Sequence, residues 1–175
     1  SDAAAFLNKI YCNGFAKLDV GKTRYGLMLR EDGIVMDDGT AARLAEDHYV
    51  VTTTTANAVS VYRHMEFARQ VLWPDLDVQL ISITESWAQY AVAGPNARKL
   101  LRKIVDTEFD ISTEAFPVMA CGVITVFGGL RARLFRISFS GELAYEIAVP
   151  TRYGEAMMRA LIEAGRGFGG CACGT

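Results

Sequence analysis

Histidine is scarce, with two residues in 175. His48 precedes a strand-like run and His64 lies inside a helix-like one. Neither stands in a Ser-His-Asp or Cys-His pattern that spacing alone would reveal. Of the four cysteines, Cys12 and Cys121 stand alone in apolar surroundings and read as core residues. Cys171-Ala172-Cys173 has no second pair of ligands and does not match zinc spacings, so no metal site is expected. A phosphate loop of the form G-x-x-x-x-G-K-S/T is absent, and so is G-x-G-x-x-G at a strand-to-helix turn, which leaves no case for a dinucleotide site. No uncharged apolar run is long enough to span a bilayer. The opening residues lack a basic segment, and Asp2 and Lys9 interrupt their apolar character, so they do not read as a signal peptide and the expected compartment is the cytoplasm. A net charge of -2 with no basic block gives no electrostatic footprint for nucleic acid.

What remains is an ordinary folded composition, 51 % hydrophobic and 22 % charged. Residues 2–11 carry apolar side chains at helical spacing. Residues 23–30 and 34–44 read as strands joined at Glu31-Asp32-Gly33. Residues 48–54 are β-branched and aromatic, hence a strand. Residues 56–72 read as a helix stopped by Trp73-Pro74, and 77–84 as a further strand. The second half offers a strand over 86–93, a helix capped by Asn96 through about Val105, and an irregular charged stretch over 106–114. Strands over 118–127, 131–138 and 143–149 follow, then a helix from near Thr151 to Ala164 that ends at Gly165.

The two halves repeat. Residues 2–10 lie over 96–104 without a gap, and each match is followed by three strands and one helix. The expected fold is therefore α+β, with two sequential strand-helix-three-strand-helix units over 1–84 and 85–165. The glycine-rich residues 166–175 are expected to be a disordered tail or a cloning remnant. The second unit opens with a strand that the first lacks, so the chain reads as a fragment truncated before Asp2. Its first sheet should then keep an unpaired apolar edge that invites a dimer of the fragment or pairing with another chain.

Three features could carry chemistry. Asp37 and Asp38 are adjacent in a strand, so one carboxylate faces each side of the sheet; solvent-facing or turn-tying acids are the plain alternative. In Ser138–Ile147, alternation puts Tyr145 and Ile147 on one face and Ala144, Glu146 and Ala148 on the other. Glu146 then points to a face of small residues, with room to accept two hydrogen bonds from a flat amidine-like edge, or else simply faces solvent. Thr52–Thr55 lead from a strand into a helix, where free amides and hydroxyls can hold a polar ligand, unless one threonine is only the cap.

These motifs also carry a resemblance. The run GKTRYGLMLREDGIVMDDGTAARLAEDHYVVTTTT (21–55) resembles the folate-binding aminomethyltransferase family of the glycine-cleavage T-protein. VAGPNARKLL (92–101) and FSGELAYEIAVP (139–150) resemble two further segments of that family, in the same order over nearly the whole chain. Within it, the four threonines, Trp73–Val78, Thr84–Ala88 and RISFSGELAYEI (136–147) are similar to the branch of heterotetrameric sarcosine oxidase alpha subunits, with dimethylglycine dehydrogenases as neighbours. The resemblance implies a tetrahydrofolate-binding, one-carbon-accepting region. Asp37 would lie by the reacting folate nitrogens, Glu146 would hold the pterin edge, and Tyr25 and Thr54 would line the pocket. Phe139 would stand where many members stack a tyrosine on the pterin. Oxidation of sarcosine to glycine with FAD, FMN and NAD would belong to other parts of the parent complex, whose other subunits are the implied partners. The chain stops before a folate-contacting arginine of the family, so the segment alone is expected to be inactive. An equivalent region of a dimethylglycine dehydrogenase or aminomethyltransferase, or a non-catalytic folate-binding scaffold, is the alternative.

Overall fold

The computed structural model describes residues 1–174. The chain divides into two compact units, Ser1–Thr84 and Glu85–Thr175. In the first, α1 (Ala3–Ile10) precedes β1 (Lys22–Leu29), β2 (Val35–Ala45) and β3 (His48–Val51), and α2 (Ala58–Phe67) follows a 3-10 turn over Thr55–Asn57. In the second, β4 (Trp87–Ala93) and α3 (Ala97–Leu101) precede β5 (Cys121–Val126), β6 (Leu130–Phe135) and β7 (Ala144–Pro150), and α4 (Gly154–Arg166) closes the unit. The helix, three strands and helix expected twice are thus present twice.

The first sheet runs β1-β2-β3 and the second β4-β7-β6-β5, with every pairing antiparallel. In the second sheet β4 lies beside β7; in the first, β3 has β2 as its single neighbour among the described residues. The β1–β2 turn forms where Asp-Gly predicts it. Gly33 takes φ of 80° and donates its N–H to the Arg30 carbonyl at 2.9 Å.

Helical spacing decides each core. Phe6, Leu7 and Ile10 of α1 and Val61 and Met65 of α2 pack on Met28 and Ala41 of the first sheet. Full burial of such side chains contributes about 1.5–3 kcal/mol each. The second core joins Leu101, Val126, Leu134, Tyr145, Ile147, Val149 and Met157. Tyr145 and Ile147 do face inward together, as strand alternation requires.

Several boundaries differ from expectation. Residues 77–84 form no strand. The Asp2 N–H donates to the Asp77 carbonyl at 3.0 Å and the Asp77 N–H to Asp2 Oδ2 at 2.9 Å, so this segment binds the start of α1 instead. Val78 still packs into the core. The third strand ends at Val51 rather than at residue 54. The helix over 56–72 tightens and then widens. Ala68–Leu72 form a π-type turn in which the Trp73 N–H reaches back to the Ala68 carbonyl at 2.8 Å. Helix α3 stops at Leu101, because Val105 bridges to Val126 and the Asp106 N–H donates to the Thr125 carbonyl, drawing the chain onto β5. Asn96 sits at its N-cap without a side-chain capping bond. Helix α4 runs through Gly165 to Arg166. The expected disordered tail begins instead as a turn, in which the Gly170 N–H donates to the Gly165 carbonyl at 2.9 Å and Lys103 Nζ lies 4.5 Å from the Phe168 ring. No helix among the described residues is long and apolar enough to cross a membrane.

Gly39 is the position where β2 leaves least room. A β-carbon there would collide with the backbone carbonyl of Thr52. That carbonyl is fixed, because the Thr52 N–H donates to the Thr40 carbonyl at 2.8 Å and the Thr40 N–H donates to Thr52 Oγ1 at 3.0 Å. Gly39→Ala is expected to destabilise the chain by about 2–3 kcal/mol, read as a lower midpoint in urea unfolding.

Candidate functional site

Asp37 is buried on the helix-packed face of the first sheet, at 4 % exposure. Its register partner on β1 is the fully buried Met28, and cross-strand partners share a face. Burying a carboxylate among apolar side chains carries a large desolvation cost unless hydrogen bonds offset it. Here two do. Asn57 Nδ2 donates to Asp37 Oδ1 at 3.1 Å, and the Thr54 N–H donates to Asp37 Oδ2 at 3.2 Å. Asn57 Nδ2 also reaches the Met36 carbonyl at 3.2 Å. The threonine run therefore meets the Asp-Asp strand through backbone: Thr54 itself is exposed, and it is its amide that touches Asp37.

Tyr11 belongs to the same face. It pairs through its backbone with Met28, and its ring lies against Gly26. Burial pushes the Tyr11 hydroxyl up to about 12, with the negative charge of Asp37 adding to the effect. Asp38 faces the other way. It accepts a 2.6 Å hydrogen bond from the Tyr25 hydroxyl, which holds that hydroxyl above its usual range. Tyr25 is thus bound to the second aspartate of the pair, on the face opposite Asp37, with 48 % of its surface exposed.

Glu146 lies on β7, between Ala91 of β4 and Phe135 of β6. Its neighbours on that face are the small Ala93, Ala144 and Ala148 together with the larger Gln89, Arg133 and Phe135. Gln89 Nε2 donates to Glu146 Oε2; Oε1 has no hydrogen-bond partner among the described residues. Burial raises the Glu146 carboxyl above its usual range, and the Gln89 bond opposes that rise. Nearby, the Arg133 guanidinium stacks 3.8 Å from the Trp87 ring centroid, and burial lowers its basicity. Phe139, expected to stack on a bound ring, projects fully into solvent from the loop between β6 and β7.

Asp37 is a buried carboxylate whose two oxygens each accept one N–H donor, and Glu146 is a partly buried carboxylate with one oxygen bonded to Gln89. No group of three or more metal-ligating side chains occurs among the described residues. Sequence reasoning missed Tyr11, Asn57 and Gln89. The Asn57 signal was an asparagine at the first position before α2, where the capping role had been given to a threonine.

The model of the GCVT N-terminal domain matches residues 1–175. The chain belongs to that family. This GCVT domain is 62 % identical over 97 % of its length to "Sarcosine oxidase subunit alpha" of Rhizobium meliloti (strain 1021), of which it spans 17 %. It is 33 % identical over 99 % of its length to an aminomethyltransferase of Anoxybacillus flavithermus, of which it spans 45 %. Two solved structures share the fold. A glycine cleavage system aminomethyltransferase T from Bartonella henselae aligns with TM-score 0.77 at 23 % identity, over 93 % of this chain and 41 % of that one. Heterotetrameric sarcosine oxidase from Corynebacterium sp. U-96 aligns with TM-score 0.66 at 16 % identity, over 99 % and 78 %. The chain spans about a sixth of the sarcosine oxidase subunit it matches. These relatives give no support to the expected edge-strand dimer of the fragment.

The raised Glu146 carboxyl has a stability consequence. A folded-state value above the unfolded one favours the protonated acid, so its contribution is present below the unfolded value, about 4.3, and is lost as pH rises through the folded one. Glu146→Gln is therefore expected to raise the melting temperature of the GCVT domain at pH 7 and to give no gain below about pH 4, measured by thermal denaturation across that range.

Proposed function

We propose that this chain is the folate-binding, one-carbon-accepting region of a sarcosine oxidase alpha subunit. The single observation that carries this reading is the 62 % identity, over 97 % of the chain, to a protein of that name. The domain family and the aminomethyltransferase relatives support the folate part of the reading. In the whole complex, sarcosine would be oxidised to glycine with flavin and NAD held elsewhere, and the released imine or formaldehyde equivalent would reach this region. Partner subunits of a heterotetramer belong to the same proposal, as does a cytoplasmic setting.

Tetrahydrofolate, when bound, supplies the nucleophilic amine that takes up the one-carbon unit and leaves as 5,10-methylenetetrahydrofolate. Asp37 is the catalytic residue of the proposal. Its carboxylate can stabilise positive charge developing on that amine, or accept the proton the amine must lose. Both oxygens already accept N–H donors, so the group is held in one orientation. Preorganised charge of this kind needs little rearrangement as the reaction proceeds. Glu146 binds: its free oxygen accepts from the amidine-like edge of the pterin, with Gln89 steadying the other. Thr54 would contribute its backbone amide to the site, whereas Tyr25, bonded to Asp38 on the opposite face of the sheet, does not lie beside Asp37, and Phe139 is solvent-exposed.

The relatives named aminomethyltransferase favour a second reading, a transferase that accepts its one-carbon unit from another carrier. One experiment separates the two. In the full-length protein assembled with its subunits, Asp37→Asn is expected to cut the yield of methylenetetrahydrofolate from sarcosine roughly a hundredfold or more while sarcosine oxidation continues. Unchanged yield would remove Asp37 from the mechanism, and no oxidation of sarcosine by the unaltered complex would favour the transferase.

A further inference from the structure

The geometry around Asp37 points to Asn57 as the residue that positions it. This rests on the reading of Asp37 as the group that acts on the folate amine, and goes beyond it by assigning the residue through which Asp37 is held. Asn57 lies at the start of α2, where an asparagine would ordinarily accept a hydrogen bond from the helix's own first amides. It makes no such capping bond. Its side-chain amide turns back toward β2 instead, donating to Asp37 Oδ1 at 3.1 Å and to the Met36 carbonyl at 3.2 Å. The Asn57 backbone N–H meanwhile donates to the Thr54 carbonyl at 2.9 Å, and the Thr54 N–H donates to Asp37 Oδ2 at 3.2 Å. Residues 54 and 57 therefore form one turn that grips both carboxylate oxygens.

That grip does two things. It fixes the rotation of the Asp37 carboxylate about its own bond, because each oxygen has its own donor on a different side. It also leaves the second lone pair of each oxygen free, since a carboxylate has about four acceptor sites and the turn occupies two. An incoming amine then meets an acceptor that is already oriented. The Tyr11 hydroxyl borders the same face and makes no hydrogen bond to Asp37 among the described residues, so Asn57 is the one side chain that holds this carboxylate.

The test uses the full-length protein assembled with its subunits, supplied with sarcosine and tetrahydrofolate. Asn57→Ala is expected to lower the turnover of methylenetetrahydrofolate formation roughly ten- to a hundredfold, the effect of losing one hydrogen bond to a charged group. The KM for tetrahydrofolate should stay within about threefold, and sarcosine oxidation should be unchanged. Asn57→Asp has nearly the same shape but brings no N–H and a like charge, so it should be at least as impaired as Asn57→Ala. A role in packing alone would leave it near the native rate. Adding Asn57→Ala to Asp37→Asn should cost nothing further, because a positioning residue acts through the group it positions. Full turnover in either Asn57 variant, or losses that multiply with those of Asp37→Asn, would overturn the assignment. Full turnover in Asp37→Asn alone would instead overturn the role of Asp37, and the two failures are told apart by that variant.

Discussion

The carbonyl of Thr52 crosses β2 at the one place where β2 has no side chain. Much of the first unit's candidate chemistry depends on that close approach. With Gly39 in place, the chain leaving β3 stays hydrogen-bonded to Thr40 through both its backbone and the Thr52 hydroxyl. Two residues later the Thr54 amide is close enough to bond the carboxylate of Asp37, and one further turn brings Asn57 to its other oxygen. A strand residue that would otherwise carry a severe desolvation cost is thereby satisfied on both oxygens. The same contacts that make its burial tolerable also fix its direction.

The two carboxylates are treated differently by their surroundings. Asp37 is enclosed and held by two N–H donors on the face packed by helices. Glu146 lies on the sheet face opposite its unit's core, partly buried, with one donor and one free oxygen. The first arrangement fits the role proposed for Asp37 at a reacting nitrogen, and the second fits the role proposed for Glu146 in recognising a flat donor edge. This division is a difference in environment, since the residues differ by one methylene.

Much of the architecture was legible in the residues. The internal match between 2–10 and 96–104 announced two like units, and both appear with the same order of helix and strands. Alternation in Ala144–Ala148 placed Tyr145 and Ile147 inward and Glu146 on the other face, because a strand offers only two faces. The Asp-Gly turn formed for the reason glycine is used there. The segment over 77–84 misled, because alternation of apolar residues describes any extended segment with one buried side. Whether its backbone then finds a neighbouring strand depends on what lies beside it, and here that was the start of α1. Helix α3 was shortened in the same way, by the pull of Val105 and Asp106 onto β5.

Which aspartate would be buried was not decided by local pattern. Period two says that Asp37 and Asp38 face apart, and it assigned neither to the core. That choice came from packing: the helices lie on the Met28 side of the sheet, and Asp37 shares that side. Nor could spacing along the chain join Asn57 to Asp37, twenty residues earlier, or Tyr11 to the same face. The sequence by itself determined the two-unit α+β order, the family and the residue types that can bear charge. Only the tertiary structure decided which of them became a buried carboxylate held on both oxygens, because hydrogen bonds between distant residues exist only once the strands are in register and the chain has crossed over Gly39.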